Sequence, residues 1–351
     1  MEGSGKIKKW NIGIIGAGLI ADFHAKAIAD IDNAQLIAVC DINKARADEM
    51  AAKHNCKSYN SYQELCQDKE IDIVTIATPS GLHMEPSIAA AETGKHVICE
   101  KPMEITTERV DAILEAHKKA GTRICTIFPS RFHKAFRATK DAVARGRLGR
   151  VTFASVIAPF WRNEEYYNDT WHGTWKLDGG GALMNQSIHT IDLLCAVMPK
   201  VESVQAYMDS LAHTQIEAED TAVAALRFVD GTLGLIYGTT GSYPGNQKSF
   251  TITGTDGTVV LCDDMIVTWQ FRNELPEDEQ IRQNFAKTNG KSGIADPADI
   301  SYQGHVDNFK GFIDCLESGE KFELEDDEGR KSVQLIRAIY QSAKNLKMVK
   351  L

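Results

Sequence analysis

Nowhere in the 351 residues does an apolar run approach the roughly eighteen needed to cross a bilayer, so no membrane span and no membrane partner are expected. Met1–Trp10 carry a few lysines but no apolar core of the kind a secretory signal needs, which predicts a cytoplasmic chain with a short, partly disordered tail. There are eight cysteines, yet none forms a Cys-x-x-Cys pair or sits beside histidine at ligand spacing. They read as small buried thiols of a reducing compartment. Basic charge is in deficit: 39 Lys and Arg face 48 Asp and Glu, a net charge of −9. With no basic stripe interleaved with aromatics, a nucleic-acid surface is excluded. The ten histidines cluster neither with one another nor with carboxylates along the chain, and no metal site is expected. No internal repeat is apparent.

What remains is an ordinary globular composition, 43% hydrophobic and 25% charged, on a chain long for a single core. Two domains are expected, 1–130 and 131–351, with the closing helices able to pack back on the first.

The most informative stretch is Asn11-Ile12-Gly13-Ile14-Ile15, a β-branched run that ends in Gly16-Ala17-Gly18-Leu19-Ile20-Ala21. An Ala-rich helical segment follows to Ile31, and a second apolar run, Leu36–Cys40, stops at Asp41. Strand, glycine turn, helix, strand and acid are the parts of a dinucleotide-binding βαβ unit. Gly16 permits the tight turn, Gly18 lets the backbone approach a pyrophosphate, and Ala21 is small enough for close packing of helix on strand. The pyrophosphate would rest on the N–H groups at Leu19 and Ile20, the positive end of the helix. Asp41 lies 25 residues beyond Gly16, about where a carboxylate accepts from both ribose hydroxyls. It would repel a 2′-phosphate, so NAD is favoured over NADP, although Arg46 close by would suit NADP.

From Asn11 to about Pro129 strands and helices alternate, which predicts a doubly wound parallel sheet. Helices are expected over Ala45–Lys53, from the capping box Ser61-Tyr62-Gln63-Glu64, over Leu82–Thr93 up to Gly94, and over Thr107–Ala120 up to Gly121. Further strands are Ile71–Ala77, Lys95–Cys99 and Arg123–Phe128. After a helix around His133–Arg145 the texture changes. Val151–Pro159 is extended, and the later segments Val201–Tyr207, Thr221–Phe228, Thr232–Thr239, Ser249–Thr253 and Thr258–Leu261 read as antiparallel strands, with hairpin turns at Asp230-Gly231 and Asp256-Gly257. Arg272–Asp299 is the least regular stretch and is expected as a mobile loop; two amphipathic helices, His305–Glu317 and Asp326–Leu346, close the chain.

Ligands of such sheets bind outside the carboxyl ends of the strands, where Thr78-Pro79, His83 and Glu100-Lys101-Pro102 fall. An isolated lysine there is an ordinary surface residue, but Pro102 restricts the backbone of Lys101 and fixes its direction. A second cluster is Gly179-Gly180-Gly181 with a helix near Asn185–Val197. On that helix Asn185, His189 and Asp192 share a face. An imidazole can take a substrate hydroxyl's proton while hydride leaves the same carbon, and a carboxylate one turn away could orient it. A structural histidine behind a capping glycine run is the plainer alternative.

Together the βαβ fingerprint, Thr78-Pro79 with His83, Glu100-Lys101-Pro102, and the glycine cluster followed by His189 and Asp192 resemble the glucose–fructose oxidoreductase / inositol 2-dehydrogenase / rhizopine catabolism family of NAD(P)-dependent sugar oxidoreductases. The resemblance covers nearly the whole chain. It implies a Rossmann domain followed by an α/β domain with a large, mostly antiparallel open sheet, through which a homodimer or homotetramer would form. It also implies that Lys101 and His189 face nicotinamide and substrate, with His189 as proton acceptor. Many members carry Asp where this chain has Asn185, which can still hydrogen-bond a hydroxyl but cannot share a proton.

The aromatic loop Trp161–Tyr167, with Trp171–Trp175 behind it, suits a sugar ring, whose C–H faces stack while its hydroxyls seek partners. Arg162, Tyr167 and Trp175 are the candidate substrate contacts; an aromatic minicore or a subunit interface is the alternative. His305 resembles a position that reaches the cleft in some relatives. The function these residues imply is hydride transfer between NAD and a secondary hydroxyl of a sugar, sugar derivative or cyclic polyol. Two rivals are an NAD-retaining glycoside-cleaving enzyme of the same fold and an NAD-binding regulator without chemistry.

Overall fold

The apolar run at the start of the chain forms β1 (Trp10–Ile15), and the glycine turn leads from it into α1 (Leu19–Ala29) and back to β2 (Ala34–Cys40). The computed structural model describes residues 9–169, 171–285 and 302–351; most of the expected N-terminal tail lies outside them. Trp10, read as part of that tail, is instead a buried strand residue at 7% exposure.

The chain forms two compact units, Met1–Phe128 with Ser301–Arg330, and Pro129–Ile300 with Lys331–Leu351. In the first, α2 (Lys44–His54), β3 (Lys57–Tyr59), α3 (Tyr62–Gln67), β4 (Ile73–Ile76), α4 (Met84–Glu92), β5 (His96–Cys99), α5 (Thr107–Ala120) and β6 (Ile124–Thr126) complete a parallel sheet of order β3-β2-β1-β4-β5-β6. Local chemistry sets the helix ends. Ser61 accepts from the Glu64 N–H as the capping box requires, Thr106 caps α5 at Arg109 N, and Gly121 closes α5 at a φ of 68°. The helix expected from Leu82 is preceded by a 3₁₀ turn, Ser80–Leu82. β3 escaped the sequence because three residues, one of them an exposed lysine, carry no apolar period.

The second unit contains α6 (Lys134–Ala144), β7 (Val151–Pro159), α7 (Ile188–Val197), β8 (Val201–Asp209), β9 (Thr221–Phe228), β10 (Leu233–Thr239), β11 (Ser249–Gly254), β12 (Gly257–Cys262), β13 (Met265–Phe271) and α8 (Pro276–Phe285). The stretch expected as an irregular loop from Arg272 therefore holds a helix, tied down by Asp278, which accepts from Arg147 and from Trp269 Nε1. Its continuation from residue 286 lies outside the described residues.

The last helices are α9 (Gln303–Ser318), which packs on α1 in the first unit, and α10 (Glu328–Asn345); the two-residue β14 (Val349–Lys350) pairs with β8. The second sheet has the order β13-β12-β11-β7-β10-β9-β8-β14. Among the described residues of this sheet only β7 and β10 run parallel; every other pairing is antiparallel. Strict alternation decides its faces. Ala154, Val156, Ala222, Ala224 and Leu226 point inward, while Phe153, Tyr207, Val223 and Leu233 stand on the exposed side. Among the described residues no helix is long and apolar enough to cross a membrane.

Candidate active site

In the first unit the glycine turn has the shape a dinucleotide needs. Gly16 sits at φ +100°, and a Cβ there would lie 2.6 Å from the Ala77 carbonyl oxygen, so only glycine fits. Gly18 begins α1 with no side-chain cap, and a Cβ on it would enter open space. The helix start at Leu19 and Ile20 is thus left to a ligand, a cradle for pyrophosphate that a larger residue at 18 would fill. Asp41 does more than the sequence suggested: its Oδ2 accepts from Ala17 N at 2.8 Å and its Oδ1 from Asn43 N at 2.7 Å. The acid that would read the ribose also clamps the turn. The residues present fit NAD.

Beyond β4, Thr78 donates its hydroxyl to Leu82 O, and Pro79 opens the 3₁₀ turn. His83 is buried, with its ring nitrogens 2.9 Å from the carbonyl oxygens of Pro102 and Thr78, so its side chain braces two loops. Glu100 also departs from expectation, because its carboxylate faces inward. Oε1 lies 3.0 Å from His24 Nε2 and 3.4 Å from His305 Nε2, and Oε2 accepts from Lys101 N at 3.0 Å. Burial opposes its ionisation, but the His24 and His305 donors hold it well below the usual carboxylate range. The histidines do cluster with a carboxylate after all: residues 24, 100 and 305 meet because a buried anion gathers donors wherever the chain can supply them. Lys101 follows Glu100 directly, half-buried at the carboxyl end of β5. A 560 Å³ cavity at the opposite edge, lined by Trp10, Asp72, Lys95 and His96 among others, contains none of the expected groups.

In the second unit the glycine run leads into a π-helical turn, Ala182–Ser187, that continues as α7. Such wide turns recur at functional sites. Asn185 and half-buried His189 project from this segment. Asp192, expected to orient the imidazole, is fully buried, and its two oxygens accept from Arg131 Nε and Nη2 at 2.7 Å. Asn185 Nδ2 donates instead to Asp178 Oδ1 at 2.5 Å. Its Oδ1 accepts from Gln186 Nε2 at 2.9 Å, and Gln186 Oε1 accepts from Arg162 Nη2 at 2.7 Å.

Arg162 is buried, its guanidinium over the rings of Phe160 and Tyr166. Tyr167 turns inward, its hydroxyl 2.8 Å from Thr240 Oγ1 and its ring against His213; burial pushes its pKa up to about 12. Its neighbour Tyr166 takes the place by Asn185 and Gln186, with Gln186 Nε2 donating to its hydroxyl at 2.8 Å. Trp175 packs edge-on to Tyr340 of α10 beneath Lys344, and its Nε1 donates to Glu217 O. The sequence reading missed Tyr166, Gln186 and Asp178. A carboxylate directly before three glycines was the available signal for the last.

Residues 10–128 match the model of an oxidoreductase family with an NAD-binding Rossmann fold, and residues 136–260 match a GFO/IDH/MocA C-terminal domain. The chain is 34% identical to the WlbA dehydrogenase from Bordetella pertussis, solved in complex with NADH and UDP-GlcNAcA, over 98% of this chain and 99% of that one, with a TM-score of 0.88. It is 28% identical to myo-inositol 2-dehydrogenase of Thermotoga maritima over 97% and 98% of the two chains. It is 30% identical to the oxidoreductase YrbE of Bacillus subtilis over 70% and 72%.

Proposed function

The chain belongs to the GFO/IDH/MocA family of NAD-binding oxidoreductases, and from that premise we propose hydride transfer between NAD and a secondary hydroxyl of an acidic, nucleotide-linked sugar. Dehydrogenation of sugar or polyol CH–OH groups is the activity of the class; the acidic substrate is the finer reading. It rests on Arg162. This side chain is only 8% exposed, Nη1 and Nη2 donate to Trp161 O and Gln186 Oε1, and Nε has no partner. Among the described residues no carboxylate lies within ion-pair distance of it. A buried guanidinium needs an anion and acceptors for its remaining donors, and a sugar carboxylate supplies both. UDP-GlcNAcA, held by the Bordetella relative, is such a molecule.

NAD, when bound, takes up the hydride. His189 accepts the hydroxyl proton, Lys101 supplies positive charge to the developing oxyanion, and Asn185 holds the hydroxyl in line. Glu100 and His83 act behind Lys101 by fixing the loops on either side of it. The exposed apolar side of the second sheet, with Tyr207 64% and Leu233 53% exposed, is covered by a second copy of the chain. All eight cysteines are free thiols, which suits a cytoplasmic setting.

The test is NADH formation, followed by absorbance, with UDP-GlcNAcA, its neutral counterpart UDP-GlcNAc, inositols and simple glycosides. Turnover with the acidic sugar that falls sharply in Arg162→Met is expected. Turnover confined to neutral polyols would discard the role given to Arg162. No NADH with any of them, although NAD binds, would overturn dehydrogenation in favour of transient oxidation during glycoside cleavage or of a regulator.

A further inference from the structure

We propose that Asp178 is the carboxylate of the proton-accepting cluster, a positioning residue that fixes the Asn185 amide and places negative charge behind the segment bearing His189. The proposal rests on the reading of Asn185 and His189 as catalytic residues. Four side chains in the second unit form one directed chain of hydrogen bonds. Arg162 Nη2 donates to Gln186 Oε1, Gln186 Nε2 to Asn185 Oδ1, and Asn185 Nδ2 to Asp178 Oδ1. Asp178 Oδ2 accepts in turn from Gly173 N at 2.9 Å. A guanidinium only donates and a carboxylate only accepts, so both amides between them have a single allowed orientation. Neither can flip without facing like against like.

The same geometry accounts for the amide at position 185. Asp178 is 1% exposed, and its oxygen is 2.5 Å from the Asn185 nitrogen. A carboxylate at 185 would set two buried anions in contact, and one of them would have to stay protonated. The site accommodates one negative charge, and this chain carries it at 178. When His189 takes a proton it becomes a cation four residues along the same helical run from Asn185, and a fixed anion behind that run lowers the cost of the charge. No proton passes through the amide: it stays on the imidazole until it leaves to solvent.

The experiment compares the full-length parent with Asp178→Asn, Asn185→Asp, the double variant and His189→Ala, using UDP-GlcNAcA and NAD, or whichever sugar of the panel above turns over. Asp178→Asn should lower kcat about tenfold with KM little changed, and should move the acid limb of the kcat profile to lower pH, because losing an anion makes the imidazolium more acidic. The double variant, which returns the carboxylate to 185, should recover most of the loss. Asn185→Asp alone should melt lower than the parent at pH 8 and regain stability when the pair can hold a proton near pH 5. That thermal measurement stands without any activity. Unchanged kcat and acid limb in Asp178→Asn, with His189→Ala inactive, would overturn the role of Asp178 and leave the dehydrogenase reading intact. So would an Asn185→Asp protein as stable as the parent at both pH values. A fully active His189→Ala would instead overturn the catalytic reading beneath it.

Discussion

The Tyr340 hydroxyl donates to Glu219 Oε1 at 2.8 Å, and the same carboxylate accepts from the backbone N–H groups of Leu183 and Gly181. This pair explains the glycine run. A Cβ on Gly180 would overlap the Tyr340 hydroxyl, and one on Gly181 the Glu219 carbonyl oxygen. The turn that carries Asn185 is therefore held from behind by a buried acid. Burial pushes Glu219 up to about 7, against the backbone and tyrosine donors that favour its charged form. An unfolded glutamate titrates near 4.3, so the folded chain holds an extra proton between the two values. Stability should be highest below the lower value, fall as pH rises through the window, and level off above it. At ~1.4 kcal/mol per pKa unit the fall amounts to roughly 4 kcal/mol. Glu219→Gln should flatten this part of the profile in urea unfolding at about pH 5 and about pH 8.

The two glycines of the dinucleotide turn should fail differently. Gly16→Ala forces a Cβ against the Ala77 carbonyl at positive φ and should cost on the order of 1–3 kcal/mol of stability. At Gly18 a Cβ enters open space, so Gly18→Val should leave the melting temperature near the parent's, yet weaken NAD binding about tenfold or more by filling the pyrophosphate cradle. Calorimetry and a fluorescence titration with NAD separate the two. Equal NAD affinity in Gly18→Val and the parent would remove the cradle from the account.

Asp41 should decide cofactor choice. Asp41→Asn keeps one acceptor for the turn but removes the charge that repels a 2′-phosphate. The ratio of kcat/KM for NAD over NADP should fall about tenfold or more. An unchanged ratio would mean that another group sets the preference.

Arg131 and Asp192 form a buried, two-pronged ion pair. Asp192→Asn removes the paired anion from a buried guanidinium and should cost about 3–5 kcal/mol, whereas replacing both partners with apolar residues of similar volume should cost much less than the sum of the single losses. Denaturant unfolding of the two single variants and the double variant checks this; additive losses would contradict it.

On the outer face of the second sheet, Tyr207 and Val223 sit opposite each other on paired strands, and Leu233 pairs likewise with Phe153. Lysine at both 207 and 223 should turn a dimer or tetramer into a monomer in light scattering while the melting transition of the fold persists. A parent protein that is already monomeric would rule the interface out.

Much of this protein could be read from its sequence, because the relevant physics is local. Gly16 and Gly18 between an apolar run and a helix, Asp41 at the next strand's end, Ser61 with Glu64, Gly121, and the alternation over Thr221–Phe228 are each decided by backbone freedom, capping or period within a few residues. They determined the parallel sheet, the mostly antiparallel second sheet and the cofactor turn. Tertiary structure decided which polar groups meet once they are buried. Glu100 gathers His24 and His305, Asp192 pairs with Arg131, Tyr167 turns to Thr240 while Tyr166 takes the place beside Gln186, and Asp178 comes to rest on Asn185. A buried charge must find partners in three dimensions, and the separation of those partners along the chain carries no signal of the meeting.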